Sequence, residues 1–198
     1  MGQKPSITTL LRQCIYNQDT DGFRALIGEH ENELIPGCLE DNIFVEVITK
    51  KCEPEIVDTV VKLANENQLA SLVATAVLYD HSLPLGPLFG MMKERERTIE
   101  EHQLKYLFLT LCERGRTEAV RVFVENKCYD PSDPRPLRAV VRGQLKNPNV
   151  DTDLLMLVLS SHAPQPDDVK CLIETYLAEA ENGDVRKVVE KCLVGFHQ

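Results

Sequence analysis

The sequence predicts an all-α fold, an α-solenoid of about six helix-turn-helix repeats forming one domain over residues 1–198. Three observations predict it. Apolar residues fall at helical spacing along nearly the whole chain, and the strict alternation of a half-buried strand is hard to find. Short breakers divide the helical stretches evenly, at 17–21, 36–37, 52–54, 84–87, 115, 131–136, 147–149, 164–166 and 182–183, which argues against a second domain. A turn followed by a short amphipathic helix recurs about every 33 residues.

Each repeat pairs two helices. The first helices are expected at 10–16, 43–48, 72–79, 104–112, 137–145 and 169–178. The second, each with its opening turn, are expected at 18–27, 52–61, 83–92, 115–124, 149–158 and 183–192. Their equivalent apolar anchors are Phe23, Val57, Leu88, Val120, Leu154 and Val188, with successive differences of 34, 31, 32, 34 and 34 residues. This gives approximate repeats 7–38, 39–69, 70–103, 104–135, 136–167 and 168–198. A lone pair of short helices cannot bury its apolar faces, whereas stacked neighbours can, which accounts for the lack of one dense apolar block. The third copy is irregular. It carries Pro84, Gly86, Pro87 and Gly90 where its second helix should run, so that helix is expected to start at or after Pro87. An ordinary bundle of six unrelated helical pairs is the competing reading.

Composition bounds the function classes. Hydrophobic residues at 43% and charged residues at 27% match a folded chain and disfavour a disordered one. With no Trp and 6% aromatics, the interior must rest on Leu, Val, Ile and Ala. The seven cysteines, Cys14, Cys38, Cys52, Cys112, Cys128, Cys171 and Cys192, stand singly with no Cys-x-x-Cys pair, which is neither a zinc nor a redox signature. Free, mostly buried thiols are expected, in a reducing compartment, cytoplasmic or nuclear. No secretory signal and no Asn-x-Ser/Thr sequon occur, and no apolar run approaches the ~20 residues that cross a bilayer. Residues 1–6, with Gly2 and Ser6, fit the loose N-myristoylation pattern. One acyl chain on Gly2 would give marginal membrane association without a basic cluster, which Lys4 and Arg12 do not make; an ordinary chain start is the competing reading.

The clearest copy of the repeat runs Gly115-Arg116-Thr117-Glu118-Ala119-Val120-Arg121-Val122-Phe123-Val124. It resembles the second helix of an ankyrin repeat, Gly-His-x-Glu-Val-Val-x-Leu-Leu-Leu. Asp130-Pro131 resembles that family's exit loop, and Arg135-Pro136-Leu137-Arg138-Ala139-Val140 resembles its Thr-Pro-Leu-His-x-Ala start. Asn182-Gly183-Asp184-Val185 and Asn17-Gln18-Asp19-Thr20 echo its interhelical turn. The resemblance implies an ankyrin-like array and a protein-binding role. It is close over about 30 residues and loose over most of the chain. Only one copy has anything like Thr-Pro-Leu-His, and the loop 130–136 is too short for the family's projecting β-hairpin, so those hairpins are expected to be degenerate or missing.

Catalytic signatures are scarce. There is no phosphate-binding loop, nucleophile elbow or His-Glu-x-x-His, and the histidines His30, His81, His102, His162 and His197 are isolated. No catalytic set, metal or cofactor is expected, although an all-α enzyme or small-ligand protein using a buried Cys or His remains the alternative. Charge is more informative. The net charge of −9 is concentrated in residues 1–103, with 9 basic and 17 acidic groups, whereas residues 104–146 hold nine basic against five acidic.

Arg135, Arg138, Arg142 and Lys146 are spaced to form one stripe along a helix, and Arg116 and Arg121 lie in the preceding copy. These six are the candidate partner-binding residues of a scaffold or adaptor, since guanidinium groups grip acidic or phosphorylated segments bidentately; for the stripe, a solvated face that keeps the array soluble is the competing reading. An acidic whole-chain balance opposes nucleic acid at long range. Residues 93–97 alternate in sign and are expected to be a self-paired, exposed helix end or linker. The acidic stretch 29–41 is expected to be a turn between repeats or a recruiter of a basic partner. The last repeat lacks an evident polar cap, which leaves room for self-association through the array ends or for a longer parent protein.

Overall fold

The computed structural model describes residues 5–145, 151–161 and 187. Among them every regular element is helical, and no strand occurs. The chain divides into two compact units, residues 1–99 and 100–198.

The first unit holds α1 (Ile7–Asn17), α2 (Thr20–Glu29), α3 (Asp41–Thr49), α4 (Pro54–Lys62), α5 (Glu66–Leu78) and α6 (Leu85–Glu94). α1 packs on α2, α3 on α4, and α5 on α6; α3 also packs on α1 and α5, and α4 on α2 and α6. Odd helices therefore form one layer and even helices the other. Between the layers lie Leu11, Ile15, Phe23, Ile43, Phe44, Val57, Leu69, Val73 and Leu88, all buried. Each such side chain contributes about 1.5–3 kcal/mol through burial.

The second unit holds α7 (Glu101–Glu113), α8 (Thr117–Glu125), α9 (Arg135–Leu145) and α10 (Thr152–Ser161). Here α7 packs on α8 and α9, and α10 packs on α8 and α9, a two-by-two square. Phe108 sits at its centre, its ring 5.9 Å from Phe123 and 5.4 Å from Tyr129 between centroids. The Tyr129 hydroxyl donates to the Ser161 carbonyl at 2.7 Å and ties the end of α8 to the end of α10. The anchors Phe23, Val57, Leu88, Val120 and Leu154 are all buried, whereas Val188 and, Lys187 apart, the helices expected at 169–178 and 183–192 lie outside the described residues.

Helix ends reveal a rule that composition hides. α1, α3, α5, α6, α7 and α8 each end on a left-handed residue, in turn Gln18, Lys51, Asp80, Glu96, Gly115 and Lys127. In each case the next N–H reaches back five residues, as from Asp19 to Cys14, Cys52 to Val47, His81 to Ala76 and Arg116 to Leu111, while the left-handed residue bonds three back. This double hook satisfies carbonyls that the helix would leave orphaned. Only one of the six residues is Gly, although the conformation costs a residue with a Cβ about 1–2 kcal/mol.

Two expectations need correction. α6 starts at Leu85, before Pro87, because a proline at the third helical position falls in the first turn, whose N–H groups need no intrahelical partner. Residues 93–97 are not a self-paired end. The Arg95 guanidinium donates to the Ala64 carbonyl at 2.6 Å, and Arg97 pairs with Glu66, so both reach back to the α4–α5 junction. The acidic stretch 29–41 is a turn between hairpins, pinned where the Gly37 N–H donates to the Leu63 carbonyl at 2.8 Å.

Candidate functional site

α9 owes its amphipathic character to residue spacing. Leu137, Ala139 and Val140 are buried against α7 and α10, while Arg135, Arg138 and Arg142 project from the opposite, exposed face. The segment Arg135–Leu145 contains no Asp or Glu. Gly143 sets its seat: a Cβ there would stand 2.9 Å from the Glu113 carbonyl oxygen at the end of α7. Only a residue without a side chain lets the two backbones approach so closely.

The structure separates the predicted arginines by role. Arg135 is clamped by Asp133, whose carboxylate accepts from the Arg135 backbone N–H at 3.0 Å and from its guanidinium at 2.6 to 2.9 Å. That side-chain hydrogen bond, ahead of the neighbouring positive charge, holds the Asp133 carboxyl below its ordinary range. Arg138 and Arg142 make no ion pair or hydrogen bond among the described residues. Arg121 is half-buried on α8, 3.7 Å from Glu118, and Arg116 is exposed at the start of α8. These two therefore belong to the α8–α10 layer and do not share a face with Arg138 and Arg142. Lys146 and Gly2 lie outside the described residues.

An open cleft of about 450 Å³ lies between the start of α7 and the segment after α8, lined by Glu101, Lys105, Lys127, Cys128, Tyr129 and Asp130. The Lys105 ammonium bridges Glu101 at 2.7 Å and Asp130 at 3.3 Å, which raises its pKa through those hydrogen bonds. Its charge is thus spent internally. The Glu101–Lys105 half of the bridge is an i,i+4 pair legible in the sequence, whereas its Asp130 half exists only in the fold, and Asp133 reads as an ordinary loop acid.

Thiol chemistry at this or any described cysteine is unfavourable near neutral pH. Burial pushes the Cys128 thiol up to about 11 and raises those of Cys14, Cys38, Cys52 and Cys112 as well. A nucleophilic thiolate needs the opposite shift. His81 is buried, with Nδ1–H donating to the Ile48 carbonyl at 3.1 Å, and burial lowers its pKa. Among the described residues no group of three His, Cys, Asp or Glu side chains converges to hold a metal, and no helix is long and apolar enough to cross a membrane. No family model, curated protein or solved structure matches the chain.

Proposed function

We propose that the chain is an ankyrin-like α-solenoid of about six helix-turn-helix repeats that serves as a protein–protein interaction scaffold, its helical-repeat surface holding an acidic or phosphorylated segment of a partner in a reducing compartment. Three features support the architecture. Odd and even helices layer separately within each unit. The five described anchors, Phe23, Val57, Leu88, Val120 and Leu154, recur at the repeat spacing and are buried. Long-range side-chain hydrogen bonds join residues about one repeat apart: Arg12 with Glu46, Arg24 with Glu55, His81 with Ile48, Arg95 with Ala64 and Tyr129 with Ser161 are separated by 34, 31, 33, 31 and 32 positions. Nearest-neighbour coupling is the property that defines a repeat array.

The observation that carries the binding role is the pair Arg138 and Arg142, two guanidinium groups that meet no acceptor among the described residues, on an exposed helix face in a chain of net charge −9. A bidentate acceptor suits the two guanidinium groups. The test is affinity capture from cell extract by the wild-type chain and by a variant with Arg135→Glu, Arg138→Glu and Arg142→Glu. Loss of a reproducible captured protein in the variant, at unchanged melting temperature, supports the role. Identical capture by both removes it.

A further inference from the structure

The partner-binding reading above leaves the occupant of the surface unspecified, and the inference here rests on that reading. α7 and α9 run in the same direction. Near the start of α7, Lys105 pairs with Asp130 in the segment leading into α9; at its end, the Glu113 carbonyl abuts Gly143. That close approach sets the register, so a residue on α9 is level with one about 30 positions earlier on α7. Tyr106 then lies about 3 Å along the helix direction from Arg138 and about 9 Å from Arg142, on helices packed about 8–10 Å apart. α8 and α10 cover the other side of both helices, so the three side chains share one open face. Tyr106 is 65% exposed, with half-buried Leu109 one turn on.

We propose that Tyr106, Arg138 and Arg142 form a platform for an extended acidic segment of a partner protein, with carboxylates on the two guanidinium groups and an apolar side chain of the same segment on the Tyr106 ring. The spacing favours this occupant. Arg138 and Arg142 are one helical turn apart, about 6 Å along the axis, and alternate side chains of an extended peptide are about 6.6 Å apart on one side. A Glu-x-Glu run laid along α9 therefore meets both groups in register. A single phosphate would instead need donors converging on one point. A rigid aromatic ring adds contact area at little entropic cost. Arg135 takes no part, because Asp133 already occupies its guanidinium.

The experiment is fluorescence anisotropy of a fluorescein-labelled synthetic peptide containing Leu-Glu-Gly-Glu, titrated with the full chain at about 0.15 M salt, where the acidic remainder of the protein is screened beyond about 8 Å. Saturable binding is expected. Arg138→Glu with Arg142→Glu should weaken it at least about 10-fold, Tyr106→Ala about 3- to 10-fold, and Arg135→Ala less than about 2-fold. Melting temperatures of the variants, all at exposed positions, report that each is folded. The platform is overturned by absence of saturable binding, by equal binding to the double variant, by binding only when phosphoserine replaces both glutamates, or by displacement of the peptide onto phosphatidylserine vesicles. Capture from extract that is lost in the triple charge reversal but indifferent to Tyr106→Ala overturns the platform while leaving the scaffold role standing.

Discussion

The two units use arginine differently. All four arginines of residues 1–99, Arg12, Arg24, Arg95 and Arg97, reach an acceptor 31 to 34 positions away. In residues 100–198, α9 is seated by a glycine against a backbone carbonyl, and its Arg138 and Arg142 face solvent with no acceptor among the described residues. The contrast teaches that one chain can spend some arginines tying its helices together and leave others facing solvent. Residue type alone does not tell these apart.

The largest way to break this comparison is at the α7–α9 seat. Gly143→Ala should gain about 1 kcal/mol of helix propensity yet lose more, because its Cβ would meet the Glu113 carbonyl oxygen at 2.9 Å. A net loss of about 2 kcal/mol is expected from urea denaturation, in line with other overpacked sites. An unchanged or raised midpoint would mean that α9 is not seated as described.

A smaller effect separates the tying arginines from the solvent-facing ones. Arg95→Ala removes a charge-assisted hydrogen bond to the carbonyl of buried Ala64 and should cost about 1.5 kcal/mol. Arg138→Ala should stay within about 0.5 kcal/mol of wild type. Equal losses in the two variants would erase the distinction between the units.

The smallest effect is a pH dependence in the first unit. His81 is buried with Nε2 lacking a hydrogen-bond partner, and burial, with Lys51 nearby, lowers its folded pKa below 6.5. As pH falls through 6.5 the unfolded chain takes up the proton first, so stability drops until the folded pKa is passed. His81→Asn keeps a donor for the Ile48 carbonyl and cannot titrate; its stability should fall less between pH 6.5 and 5 than that of wild type. Parallel curves for the two proteins would show that His81 does not set this slope.

Much of the fold is legible in the sequence because apolar anchors must recur wherever hairpins stack. Phe23, Val57, Leu88, Val120 and Leu154 do so, and the described helices fall around their expected spans. The turn signals are less legible. A search for glycine finds Gly115, but the same hook is made by Gln18, Lys51, Asp80, Glu96 and Lys127, since two backbone hydrogen bonds offset the strain of the Cβ.

Long-range partners are not legible at all. Arg95 and Arg97 read as self-paired because their nearest acids in sequence are adjacent, whereas the fold supplies Ala64 and Glu66. Periodicity places Arg135 in the stripe with Arg138 and Arg142 and cannot reveal the clamp by Asp133. Tyr106 has no signal of its own, because its place beside α9 depends on a register set by one glycine.

The repeat array proposed above has a mechanical consequence. If each hairpin is held by its neighbours, a chain pulled from its ends should yield one hairpin at a time. Each rupture would then release about 33 residues, or roughly 110 Å of extended backbone, so a stretched molecule would lengthen in a staircase while the remaining hairpins kept their shape.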